Sequence, residues 1–153
     1  VVASTGRMSE ADYLKKLGAS EVIDRAVLSA PGKPLAKERW AAVVDSVGSH
    51  TLANACAQTK SDGAVAACGL AQGMDFPSTV APFILRGVTL YGINSVTVAK
   101  AKRIAAYEQL SKLVDIKTLE EISHEINLEE SIKYAAELMA GNVRGRLIVD
   151  VNK

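Results

Sequence analysis

The stretch Trp40 to Gly48, WAAVVDSVG, decides the fold. An apolar run without polar alternation, closed by an acid and a Ser-Val-Gly turn, predicts a strand buried on both faces, the situation of a parallel sheet with helices on either side. Asp45, at the end of that run, is placed to cap the turn or the following helix rather than to act as a general base. A short helix over Thr51 to Gln58 comes next. Gly63 to Gly69, GAVAACG, is then a second strand-like run of small and branched residues.

The same alternation continues in both directions from this centre. Upstream, Val1 to Arg7, VVASTGR, reads as the end of a buried strand entering a tight turn. Met8 to Leu17 carries Ala11, Leu14 and Leu17 at helical spacing, with Gly18 where a C-cap belongs. Glu21 to Ile23 is a short strand, and the polar stretch with Pro31, Gly32 and Pro34 is loop or a single turn. Downstream, Pro82 to Leu85 is one helical turn and Val88 to Ile93 a further strand. Ala99 to Val114 then forms an amphipathic helix with Ile104, Tyr107, Leu110 and Leu113 on one stripe. Strand and helix in turn predict an open α/β fold, a Rossmann-like, doubly wound and mostly parallel sheet.

Beyond residue 116 the pattern changes. Ile122 to Ile126 alternates as a half-exposed strand does, Asn127 opens a helix to Ala140 with acids in its first turn, and Arg146 to Val151 is a last strand. Residues 1–116 are therefore read as a partial dinucleotide-binding domain, and residues 117–153 as a strand-helix-strand segment belonging to another lobe.

Composition narrows the function classes. The 153 residues are 48% hydrophobic and 23% charged, and 18 basic against 17 acidic residues give a formal charge of +1, so no general field draws nucleic acid or an acidic membrane. No apolar run spans a bilayer and no signal-type core is present, which predicts a cytoplasmic protein. Cys56 and Cys68 read as free thiols, and they have no metal-site spacing with each other or with His50 and His124. Both histidines read as surface or structural. Ser46 lacks the frame of a nucleophile elbow, and the Lys100, Lys102, Arg103 cluster reads as a solvated helix face.

In an open parallel sheet the ligand lies beyond the carboxyl ends of the strands, so Ser4 to Arg7, Asp24 and Arg25, Asp45 to Gly48, Gly69 and Leu70, and Asn94 and Ser95 are the residues to weigh. Two arginines after neighbouring strands can converge on one anion. An acid ending the second strand of a dinucleotide unit selects a bare ribose, whereas an arginine there suits a 2′-phosphate, and Arg7 stands at such a place. From position alone Arg7 is equally a solvated surface residue, and Arg25 by itself more so. No G-x-G-x-x-G turn precedes any strand, so if VVASTGR is a second strand, the first strand and its phosphate turn are expected upstream of Val1.

Taken in order, VVASTGR, YLKKLGASEVIDR, VVDSVG, GAVAACGLAQG, APFILRGVTLYGINSV and GNVRGRLIVDV resemble the cofactor domain of the medium-chain dehydrogenase/reductase superfamily. Within it they resemble the zinc-independent quinone oxidoreductase branch that includes acryloyl-coenzyme A reductase. The resemblance implies an NADPH-dependent reductase that passes hydride to a quinone or to a double bond conjugated to a carbonyl. Residue by residue it implies that Thr5, Gly6, Arg7 and Arg25 surround the adenosine 2′-phosphate. It likewise implies that Gly69 and Leu70 form the turn beside the nicotinamide and that Ser95 lies near the same ring. It further implies a homodimer joined through the Val88 to Ile93 strand, no catalytic residue in this part, and a chain that alone turns nothing over. Two rival readings are a non-catalytic Rossmann-like module with a structural or dimerisation role, and another α/β nucleotide binder such as a methyltransferase.

Overall fold

A computed structural model describes all 153 residues, and they form two compact units, Val1–Val98 and Ala99–Lys153. In the first unit β1 (Val2–Thr5) leads through a 3-10 turn, Met8–Glu10, into α1 (Ala11–Lys16) and back to β2 (Glu21–Asp24). The two strands pair in parallel, Val2 opposite Glu21 through Thr5 opposite Asp24. Gly18, at φ 104°, ends the helix as its place in the sequence predicts. A four-residue helix, α2 (Ala26–Ser29), follows β2 directly and is the single turn that the sequence reading allowed before the Pro31 to Pro34 stretch.

The rest of this unit is β3 (Trp40–Asp45), α3 (Ser49–Gln58), β4 (Thr59–Ala67), α4 (Ala81–Arg86) and β5 (Thr89–Gly92). β3, β4 and β5 form a parallel sheet in that order, with Val43 opposite Val65 and Val65 opposite Leu90. Those three face α3, and Leu52, Cys56, Val65 and Val88 are the buried centre of the core, with Phe83 packed against it. From Thr51 to Ala57 every residue of α3 is buried. The small side chains Ala53, Ala55 and Ala57 let sheet, loops and α4 approach it closely.

The open, mostly parallel, Rossmann-like α/β architecture read from the sequence is present, with two details added. First, the strands of this unit are hydrogen-bonded in two groups, β1-β2 and β3-β4-β5, with no ladder between β1 and β3. They are held in one unit through side chains: Asn54 Nδ2 of α3 donates to the carbonyls of Leu28 (2.7 Å) and Ala30 (2.8 Å), and Arg39 pairs with Glu21 at 2.5 Å. Second, β3 is buried on one face, not two. Val43 and Asp45 point inward, while Ala42 is exposed and Val44 is 80% exposed, because no helix of this unit covers the face they share with Tyr91.

The phrase APFILRG has a structural explanation. Pro82 is buried at the start of α4, and Gly87 closes that helix in the left-handed region at φ 60°. Between them Arg86 reaches the end of α3, where Nη1 donates to the carbonyls of Ala57 (2.9 Å) and Thr59 (3.3 Å) and Nη2 to that of Ala36 (2.7 Å). Helix ends leave carbonyls without partners, and a cation there both satisfies them and offsets the helix dipole.

In the second unit α5 (Lys100–Leu113) and α6 (Ile116–Ile122) precede β6 (Ser123–Asn127), α7 (Ser131–Met139) and β7 (Arg146–Asp150). β6 and β7 pair in parallel, Ser123 opposite Arg146. Asn127 and Glu130 make a reciprocal capping box ahead of α7, as an N-cap at Asn127 predicts. Against expectation the stripe of α5 is uncovered, with Tyr107 at 65% and Leu113 at 78% exposure, and Ile126 is the unit's buried side chain. No helix is long and apolar enough to cross a membrane.

Candidate functional site

The predicted residues fall into two groups. Thr5, Gly6, Arg7 and Arg25 come together at the carboxyl ends of the paired strands β1 and β2. Parallel pairing puts both strand ends on one side, and the backbone then locks them: the Arg25 N–H donates to the Thr5 carbonyl at 2.9 Å, and the Arg7 N–H donates to Thr5 Oγ1 at 3.1 Å. Arg25 lies across Gly6, so that a Cβ on Gly6 would stand 2.6 Å from Arg25 Nε. The acids of β2 are engaged locally or with another residue. Asp24 Oδ1 accepts from the Ala26 N–H at 2.8 Å, and Glu21 pairs with Arg39. Arg25 thus presents a charge without an ion-pair partner at the rim of a cradle made by a missing side chain.

Gly69 and Leu70 belong to the second group, at the ends of β3 and β4. Here the sequence folds by interlocking turns. The carboxylate of Asp45, buried, accepts from the N–H groups of Val47 (3.2 Å) and Gly48 (2.8 Å), which is the capping role read from sequence. Gly48 has φ 75°, and a Cβ there would meet the Gly73 carbonyl at 2.5 Å, so only glycine fits. Gly69 lies equally close to Ser46, its missing Cβ 2.5 Å from that carbonyl. Leu70 is 60% exposed above this tight turn. Cys68 follows β4 with its N–H bonded to the Asp45 carbonyl at 2.7 Å, and both cysteines are free thiols.

Ser95 lies in the loop after β5, exposed, beside Asn94, whose Oδ1 accepts from the N–H groups of Val96 (3.0 Å) and Thr97 (3.1 Å). The adjoining Ile93 N–H bonds the Ala67 carbonyl at 2.9 Å, which keeps the ends of β4 and β5 in register. No strand ladder joins this group to the arginine group.

Sequence reasoning missed the side chains that hold the Gly69 turn. Gln72 Oε1 accepts from Thr51 Oγ1 at 2.8 Å and from the Thr51 N–H at 3.3 Å, while its Nε2 donates to the Ser29 carbonyl at 2.9 Å. Ser49 Oγ donates to Asp75 Oδ2 at 2.9 Å. The only signal for Gln72 is its place between Gly69 and Gly73, since its partners lie 21 and 43 residues away in sequence. A shallow depression of about 90 Å³ lies instead between Lys33, Asn54 and Ser78 and includes none of the predicted residues.

Burial pushes the Cys56 thiol up to about 11 from its ordinary 9.0, with the nearby Asp45 charge adding to the effect. It stays protonated at neutral pH and is a core residue rather than a ligand.

Comparison with known proteins gives the family. Residues 1–115 match the family described as zinc-binding dehydrogenase. The chain is 42% identical over 153 residues to the acrylyl-CoA reductase AcuI of Ruegeria pomeroyi, covering 99% of this chain and 46% of that protein. It is 43% identical over 151 residues to YhfP of Bacillus subtilis, which carries the provisional name of a quinone oxidoreductase, covering 97% and 46%. The crystal structure of the YhdH oxidoreductase of Salmonella enterica with NADP superposes with a TM-score of 0.95 at 40% identity, covering 99% of this chain and 46% of that one. That of YhfP with NAD bound gives 0.93 at 42%, covering 99% and 46%. The chain therefore spans about half the length of these relatives.

The family description names zinc, but no three His, Cys, Asp or Glu side chains of this chain converge as a zinc site requires, so its residues do not fit the ion. The cradle at Gly6 and the unpaired Arg25 do fit a phosphorylated nucleotide. By sequence and by fold the chain belongs to the zinc-binding dehydrogenase family of the medium-chain dehydrogenase/reductase superfamily, and it corresponds to the cofactor-binding part of those proteins.

Proposed function

We propose that this chain is the NADPH-binding part of an oxidoreductase that reduces a quinone or an α,β-unsaturated acyl-coenzyme A. The observation that carries the reading is the Arg25 guanidinium laid over Gly6 beside Arg7, at the carboxyl ends of two parallel strands. Relatives at similar identity were crystallised with NADP and with NAD, so the choice between the two cofactors rests on these side chains. Two arginines at a ribose favour a phosphate monoester over a bare hydroxyl pair.

Residues 1–116 carry the cofactor and residues 117–153 belong with another lobe in this reading. When bound, NADPH supplies the hydride to the electron-poor carbon, and a proton completes the reduction. This chain's residues bind and orient. Thr5 fixes the backbone of both arginines, Arg7 and Arg25 hold the 2′-phosphate, and Gly69 leaves the Leu70 turn close to the sheet, where Leu70 gives an apolar surface to a planar ring. Ser95 is the polar neighbour of that ring, and no side chain of this chain is assigned a proton transfer. β5 is an edge strand, and we assign it to a homodimer in which it pairs with its counterpart. Light scattering should then give twice the mass of one chain. Two free thiols suit the reducing cytoplasm.

The test has two arms. Calorimetric titration of the folded chain with NADPH and NADH should show preference for NADPH. Steady-state oxidation of NADPH by the full-length protein, with acryloyl-coenzyme A or a small quinone, reads the substrate class. Absence of turnover with either acceptor, despite NADPH binding, would favour the non-catalytic module.

A further inference from the structure

Gly6 differs from Gly48 and Gly69, whose missing side chains face main-chain carbonyls. Its backbone lies outside the left-handed region, so alanine is conformationally acceptable there. What a side chain would meet is the outer part of one flexible residue: Arg25 Nε at 2.6 Å, Cζ at 2.7 Å and Cδ at 3.1 Å from an ideal Cβ. Gly48, in contrast, would bring its Cβ against the Gly73 carbonyl. The main chain of Arg25 is fixed, its N–H on the Thr5 carbonyl at 2.9 Å and its own carbonyl accepting from the Leu28 N–H at 3.0 Å. Only the Arg25 side chain is therefore able to give way.

We infer that Gly6 is a specificity-determining residue that acts through Arg25: by having no side chain it lets the guanidinium lie against the strand end, where it selects a 2′-phosphorylated adenosine. This rests on the reading of the cluster as a 2′-phosphate site. A methyl group at residue 6 lifts the guanidinium away without disturbing β1, and it changes which nucleotide is preferred rather than whether the chain folds. A charge-assisted hydrogen bond to phosphate needs close, directed approach, so a displaced Arg25 loses most of its share.

The experiment is a double-mutant cycle. The wild-type chain, Gly6→Ala, Arg25→Ala and the double variant, each checked for unchanged melting, are titrated with adenosine 2′,5′-bisphosphate and with adenosine 5′-monophosphate. The inference expects Arg25→Ala to lower the preference for the bisphosphate by about tenfold or more. Gly6→Ala should lower it by a similar factor, and the double variant no further than Arg25→Ala alone. If Arg25→Ala collapses the preference while Gly6→Ala leaves it intact, or if the two losses multiply, Gly6 does not act through Arg25 and the inference is overturned while the site reading stands. If Arg25→Ala leaves the preference unchanged, or the folded chain binds neither nucleotide, the site reading itself is wrong.

Discussion

The two groups of strand-end residues are built on opposite principles. Around β3 and β4 the turns are interlocked about the buried Asp45: it caps two N–H groups, Gly48 and Gly69 lie tight against opposing carbonyls, and Gln72 spans α2 and α3. Around β1 and β2 the backbone is bonded but the charged side chains stand exposed, and Arg25 has no counter-ion. The difference teaches where stability and selectivity reside. On the proposed function, the interlocked turns cost free energy when altered and set the position of whatever binds, whereas the exposed arginines are the groups assigned to choosing which anion binds.

The largest expected effect that would break this contrast is on stability. Gly48→Ala forces a side chain into the left-handed region against a carbonyl and should cost about 2–4 kcal/mol in urea unfolding. Gly6→Ala should cost under about 1 kcal/mol in the same experiment, since it displaces only a side-chain end. Equal losses would erase the distinction.

A second effect belongs to the buried core beside these turns. Because burial raises the Cys56 thiol to about 11 from 9.0, the folded state holds this proton more tightly than the unfolded chain. Stability from this group is fully present below about pH 9 and falls as pH rises from 9 towards 11, by on the order of 2–3 kcal/mol. Unfolding followed between pH 8 and 11 should show the fall, and Cys56→Ala should remove that part of it.

Third, Arg7→Ala should weaken NADPH binding by about 1.5–3 kcal/mol and leave NADH binding unaltered, with melting unchanged. Equal losses for both cofactors would move Arg7 from the ribose to a general electrostatic role. Fourth, Gln72→Ala is expected to cost about 1–2 kcal/mol of stability through its bonds to Thr51 and Ser29, and to weaken NADPH and NADH equally.

Much of the architecture is legible in the sequence because it depends on local rules. The run WAAVVD, the C-cap at Gly18 and the N-cap at Asn127 each produce the element their pattern predicts. What was not legible depends on distant partners. The one-sided burial of β3 and the uncovered stripe of α5 reflect which surfaces have neighbours, a matter on which the apolar runs themselves are silent. The arginine cluster could be listed from strand ends, but Arg25's position over Gly6 follows from strand pairing and could not be read from spacing. Gln72 gave no signal, since an exposed glutamine between glycines is ordinary loop chemistry until its partners are known.

The central claim is that the arginine cluster selects a 2′-phosphate, and calorimetric titration of the folded chain with NADPH and with NADH tests it most directly. The account predicts NADPH binding at least about tenfold tighter than NADH, the equivalent of one charge-assisted contact. Equal affinity for the two, or tighter binding of NADH, would contradict it.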